Sequence, residues 1–179
     1  MAAESLRVLA QHLDVPERTL RRAAEQGLIR GERLSERRFR TTLREDAYLR
    51  QHWGLLSALR RALRTEPSVR LAVLFGSLAT WEGSERSDVD LLVSLRDDGA
   101  SAMAGLSGRL AERLGREVQL VRIREAERSA QLMLDVLAQG RVLVDREHLW
   151  PRVRAGERRW RRRRAAQPPL EDALPDLGL

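Results

Sequence analysis

A glycine–serine pair, Gly76-Ser77, is followed after ten residues by Asp88-Val89-Asp90, and this spacing constrains the fold more than any other feature of the chain. Residues 69–75 (VRLAVLF) are apolar and rich in branched side chains, which predicts a buried strand with the Gly-Ser turn at its end. A second strand is predicted from Ser87-Asp88-Val89-Asp90-Leu91-Leu92-Val93, and its period of two sends Asp88 and Asp90 to the same side. Two carboxylates held that close repel each other unless a cation sits between them.

The residue types suit one kind of chemistry. A small Gly-Ser turn lets backbone N–H groups and one hydroxyl approach phosphate oxygens without a side-chain clash. Magnesium prefers one or two carboxylates together with substrate phosphates to a closed protein cage. The pattern is the outline of a metal-dependent phosphoryl-transfer site, in which positioning and charge neutralisation replace a protein nucleophile.

Residues 75–77 (FGS) through 87–93 (SDVDLLV) resemble the GS-x10-D-x-D motif of the polymerase-β-like nucleotidyltransferases, in particular the minimal nucleotidyltransferase (MNT) group. The likeness extends more weakly over residues 69–149, because 140–145 (GRVLVD) is similar to the short closing strand of that group. The resemblance implies that Gly76, Ser77 and Ser87 hold the triphosphate of an NTP, with ATP expected, and that Asp88 and Asp90 bind two magnesium ions. Two departures stand out. Thr80-Trp81 replaces the Arg-Gly pair often found after the turn, and the family's third carboxylate falls on Gln119 of the strand 116–121. Glu117 shares the face of Gln119 two residues away, so it either completes a catalytic set with Asp88 and Asp90 or is an ordinary solvent-facing residue.

The 179 residues suit one domain or two small ones, and the pattern favours two. The absence of cysteine excludes disulfides and thiolate zinc sites, and the three histidines are scattered. No apolar run is long enough to span a bilayer and residues 1–4 lack a signal-peptide core, so a cytoplasmic protein without a membrane partner is expected. All 33 basic residues are arginine. The net charge of +7 has one address, residues 152–164, where eight arginines face one acid, Glu157.

At the N-terminus, Leu6, Leu9, Ala10 and Leu13 have helical spacing, and Pro16 opens a second helix that ends before Gly27. Residues 13–29 resemble the helix-turn-helix of MerR-like winged-helix proteins, with Asp14 where such turns often carry glycine. The resemblance implies a double-stranded DNA partner, contacted by Arg18, Thr19, Arg21 and Arg22 of the second helix and by Arg37 and Arg38 of a β-hairpin wing over 30–40. A helical hairpin used for packing or dimerisation is the bland alternative. Thr42-Leu43-Arg44-Glu45 has capping-box spacing and starts a long helix through Arg64, with Tyr48, Leu49, Leu55, Leu56, Leu59 and Leu63 as its packing face.

Beyond the motif, helices are predicted over 102–114 and 126–138, a strand over 141–144, and a basic helix over 147–165 that includes His148 as a surface residue. The Arg-rich 158–164 run suits nucleic acid, an acidic partner or plain solvation, and the Pro-broken, acidic segment 167–179 is expected to be mobile. The fold class is α+β: a winged helix-turn-helix (1–43), a linking helix (44–66), a nucleotidyltransferase mixed sheet with flanking helices (67–149), a basic helix (150–166) and a tail. The leading functional expectation is a DNA-binding nucleotidyltransferase that passes a nucleotide to an acceptor hydroxyl. By resemblance this is an antitoxin that modifies a HEPN-type toxin and autoregulates its operon, with a homodimer as one arrangement. The alternatives are a transcriptional regulator whose nucleotidyltransferase domain senses nucleotide or is inactive, and an antibiotic nucleotidyltransferase, which would leave the DNA reader without a purpose.

Overall fold

The computed structural model of the protein describes residues 5–35, 38–84 and 87–166. The Arg37 expected in the hairpin and the 167–179 tail lie outside the described residues. Ser5 caps the first helix, α1 (Leu6–His12), and buries Leu6, Leu9 and Ala10 on one face. Asp14 takes up the left-handed conformation (φ 51°) in the turn that follows, which a short polar side chain tolerates. Helix α2 (Glu17–Glu25) begins after Pro16 and buries Leu20 and Ala23. Strands β1 (Glu32–Arg33) and β2 (Phe39–Arg40) then form a small antiparallel hairpin.

Helix α3 (Leu43–Arg64) runs the expected length, but its capping box is only half made. The Thr42 hydroxyl accepts from the Glu45 amide at 3.1 Å, whereas the Glu45 carboxylate turns inward to Arg141. The central sheet has the order β5-β4-β3-β6, from β3 (Val69–Phe75), β4 (Val89–Leu95), β5 (Val118–Arg122) and β6 (Arg141–Asp145). It is mixed: β3 is antiparallel to both β4 and β6, while β4 and β5 are parallel and joined through α4 (Ala100–Leu114).

Both faces of the sheet are covered, which is why its strands read as continuous apolar runs. One face shares a core with α1 to α4 that includes Leu9, Leu20, Tyr48, Leu56, Leu74, Leu91 and Leu110. The N-terminal helices and the sheet therefore pack into one continuous interior, and the Val142 amide of edge strand β6 donates to the Gly27 carbonyl at 3.1 Å. The other face buries Leu71, Val73 and Leu92 against Met133, Val136 and Trp160. Each fully buried side chain of this kind contributes about 1.5–3 kcal/mol of apolar transfer.

Three expectations need correction. The helix expected over 126–138 follows a separate short helix, α5 (Ile123–Ala126), and starts four residues later than expected, as α6 (Ala130–Gln139), because the Ser129 hydroxyl accepts from the Leu132 amide and caps its start. The basic C-terminal helix is two, α7 (Leu149–Ala155) and α8 (Glu157–Ala165), meeting at Gly156, where a Cβ would stand 2.5 Å from the Trp160 ring. His148 precedes α7 in the left-handed region (φ 50°) instead of lying within a helix. The 158–164 run is not simply solvated: Trp160 is buried, Arg159 pairs with Glu127 at 3.0 Å, and Arg164 donates to Gln131 at 2.8 Å. Arg158 and Arg162 stay exposed.

Candidate active site at the ends of β3 and β4

Antiparallel pairing of β3 with β4 places the end of one strand beside the start of the other, with Phe75 opposite Asp90. Gly76 leaves β3 in a conformation that favours glycine (φ 71°, ψ −160°) and opens the 3-10 turn Ser77–Ala79. The Asp90 carboxylate lies directly over that glycine, so a Cβ there would stand 2.4 Å from Asp90 Oδ2. The turn and the carboxylate are thus one local structure. Asp88 sits one residue ahead of β4, half-buried like Asp90.

Parallel pairing with β5 sets Gln119 beside Asp90, and the Gln119 amide reaches Asp88 Oδ2 at 3.5 Å. Glu117 lies just before β5, exposed, with its carbonyl accepting from the Val89 amide at 2.9 Å. Among the described residues, no three His, Cys, Asp or Glu side chains gather at a common point. The donor set is therefore two carboxylates and an amide. Burial, then the neighbouring Asp88, pushes the Asp90 carboxyl above its ordinary value, which is the electrostatic state that a divalent cation would relieve. Two carboxylates completed by substrate phosphate fit magnesium.

Ser87 closes the intervening loop. Its hydroxyl accepts from the Ser84 amide at 3.0 Å, and Arg116 ties the Ser84 and Ser87 carbonyls from the side at 3.3 and 3.2 Å. Trp81, in the departure from the family pattern, packs edge-on to Tyr48 with ring centroids 6.1 Å apart.

Sequence reasoning missed what lies beneath the turn. Tyr48 Oη donates to the Leu78 carbonyl at 2.6 Å, while Arg30 Nη2 and Arg141 Nε both donate to the Ala79 carbonyl, at 3.0 and 2.9 Å. Arg141 is 1% exposed, paired bidentately with Glu45 at 2.6 and 2.9 Å, and stacked 3.7 Å over the Tyr48 ring. Burial raises the Tyr48 phenol above its ordinary range, so it remains an O–H donor. Burial also lowers the Arg30 guanidinium, with Arg141 adding to the effect. An arginine at the start of the closing strand was the one signal in the sequence, and its partner Glu45 is 96 positions away.

At the N-terminal end, Arg18 and Arg22 are exposed on α2, Thr19 is half-buried, and Arg21 pairs with Glu17 at 2.5 Å. Arg21 and Arg38 line a shared cleft between α2 and the hairpin.

The profile of the polymerase beta nucleotidyltransferase family matches residues 58–149, just over half of the chain. The chain belongs to this family. It is similar to a toxin–antitoxin crystallised with AMP-PNP, at 26% identity over 62% of this chain and 86% of the other, with a TM-score of 0.49. It is also similar to a chain in the complex of a tri-AMPylated Shewanella oneidensis HEPN toxin with an MNT antitoxin, at 25% identity over 64% and 90%, with a TM-score of 0.50. No curated protein sequence matches it. Among the described residues, no helix of this nucleotidyltransferase is long and apolar enough to cross a membrane.

Proposed function

We propose that this nucleotidyltransferase is an antitoxin that transfers a nucleotide, AMP from ATP, to a hydroxyl of a HEPN-type partner, and that residues 1–43 are a winged helix-turn-helix through which it binds its own operator. The reading is carried by one arrangement: the Gly76-Ser77 turn lies against Asp90, with Asp88 beside it, in a chain of this family. The likeness to a complex holding an AMPylated HEPN toxin supports the acceptor class.

Gly76 and Ser77 would present backbone N–H groups and a hydroxyl to the triphosphate. Asp88 and Asp90 would hold magnesium, which when bound supplies positive charge to the phosphate oxygens and the departing pyrophosphate. The acceptor oxygen forms a bond to the α-phosphorus, the bond from that phosphorus to the bridging oxygen breaks, and pyrophosphate leaves. The acceptor proton passes to a base, for which Glu117 is the nearest candidate in sequence to the third-strand position. Gln119 hydrogen-bonds but takes up no proton at neutral pH.

Calorimetric titration with AMP-PNP tests the site. Binding should tighten with magnesium, and Asp88→Asn with Asp90→Asn should abolish that difference while the protein stays folded; metal-independent binding in both proteins removes the site. A second reading, a DNA-binding regulator that senses nucleotide without transferring it, is favoured by Gln119 standing beside Asp90 on the third strand. Labelled-nucleotide transfer to the partner separates the two. Under the first reading, Glu117→Gln slows transfer by about a hundredfold or more.

A further inference from the structure

The triphosphate-binding turn is held from below by groups outside the motif. Residues 77–79 form a single 3-10 turn, closed by the Ala79 and Thr80 amides donating to the Gly76 and Ser77 carbonyls. The last two carbonyls of that turn accept from three side chains brought in by three different elements. Arg30 comes from the segment between α2 and the hairpin, Tyr48 from α3, and Arg141 from the first residue of β6. The Glu45 carboxylate joins them, accepting from Arg141 and from the Arg30 amide at 2.9 Å. Arg30 Nη2 also donates to the Gln139 carbonyl at the end of α6.

We propose that Arg30, Tyr48 and Arg141 are positioning residues for nucleotide binding, and that through Arg30 the N-terminal unit sets the geometry of the Gly76-Ser77 turn. The Leu78 and Ala79 carbonyls share their peptide planes with the Ala79 and Thr80 amides, which donate back to the Gly76 and Ser77 carbonyls at 3.1 and 3.0 Å, so these contacts hold the Gly76–Ser77 peptide and with it the direction of the Ser77 N–H. Arg141 supplies charge and rigidity, Tyr48 supplies a neutral donor with no freedom to swing, and Arg30 supplies the link to the helices before α3. Binding free energies are reciprocal. Whatever nucleotide gains from the Arg30 contact is therefore the amount by which bound nucleotide stabilises the N-terminal unit's placement on the turn. The inference rests on the nucleotide reading above and adds to it a dependence on residues far from the motif.

The test uses the full chain, AMP-PNP with magnesium as probe, and calorimetry. Tyr48→Phe keeps the ring and removes only the donor to Leu78; Arg30→Ala removes the donor to Ala79 and leaves that of Arg141. Each should weaken AMP-PNP binding about tenfold, the scale of one hydrogen bond. Arg30→Lys should recover part of the loss, and the exposed Arg44→Ala should match wild type. Amide exchange at residues 79–80 should quicken in Tyr48→Phe while exchange in the middle of α3 stays at the wild-type rate, an outcome that general destabilisation does not produce. Wild-type binding constants in both Tyr48→Phe and Arg30→Ala overturn this inference alone. Failure of the wild-type protein to bind AMP-PNP overturns the nucleotide reading and this inference with it.

Discussion

Gly76→Ala isolates the joint between the turn and the carboxylate. At φ 71° and ψ −160° the backbone lies in a region nearly reserved for glycine, where another residue costs about 1–3 kcal/mol. The added Cβ would stand 2.4 Å from Asp90 Oδ2 and 3.3 Å from Asp90 Cγ, so the clash falls on the end of a side chain that can rotate away. The stability loss should therefore stay near the strain alone, about 2 kcal/mol, or about 4–8 °C in melting temperature for a chain of this size. Function should fall much further, because the carboxylate displaced is one proposed to hold magnesium. A misplacement on the order of 1 Å costs about a hundredfold in transfer. Thermal denaturation and transfer of labelled nucleotide are the two measurements. Gly54→Ala is the matched control: it lies exposed within α3 with nothing within 4 Å of the added Cβ, and should stabilise the fold by about 0.5–1 kcal/mol without touching activity. Gly76→Ala with wild-type transfer would refute the coupling of turn and carboxylate.

Two further outcomes concern the buried polar groups. Arg141→Met leaves the Glu45 carboxylate buried without its partner and should cost about 3–5 kcal/mol, whereas Arg141→Met with Glu45→Leu should recover much of it; equal melting temperatures for the single and double variants would refute the pairing argument. His52 is 6% exposed, its Nε2 has no hydrogen-bond partner among the described residues, and burial together with the Arg141 charge lowers its pKa. The unfolded chain then binds a proton more readily than the folded one. Stability should therefore fall as pH drops below about 6.5, the unfolded imidazole value, and His52→Phe should flatten that dependence in denaturant titrations at a series of pH values.

The sequence by itself determined the local geometry of the site. A β-branched run, a Gly-Ser pair and an Asp-x-Asp repeat specify a strand, a turn and a second strand that carries Asp90, with Asp88 one residue ahead of it, because each depends on periodicity and on backbone freedom at one glycine. The starts of α2 and α3 were equally legible, from Pro16 as an opener and Thr42 as a cap. The breaks at Ser129 and Gly156 were not, since a cap and a glycine inside an apolar or basic run compete with helical propensity, and packing of α6 and Trp160 settles the contest. The motif spacing put Gln119 at the third-strand position, and tertiary structure, through the parallel register of β4 and β5, set it beside Asp90. Tertiary structure alone brought Arg30, Tyr48 and Arg141 under one turn. Charge pairing across a buried core follows proximity in space, and proximity between residues 49 and 62 positions from their carbonyl partner leaves no periodic trace in the chain.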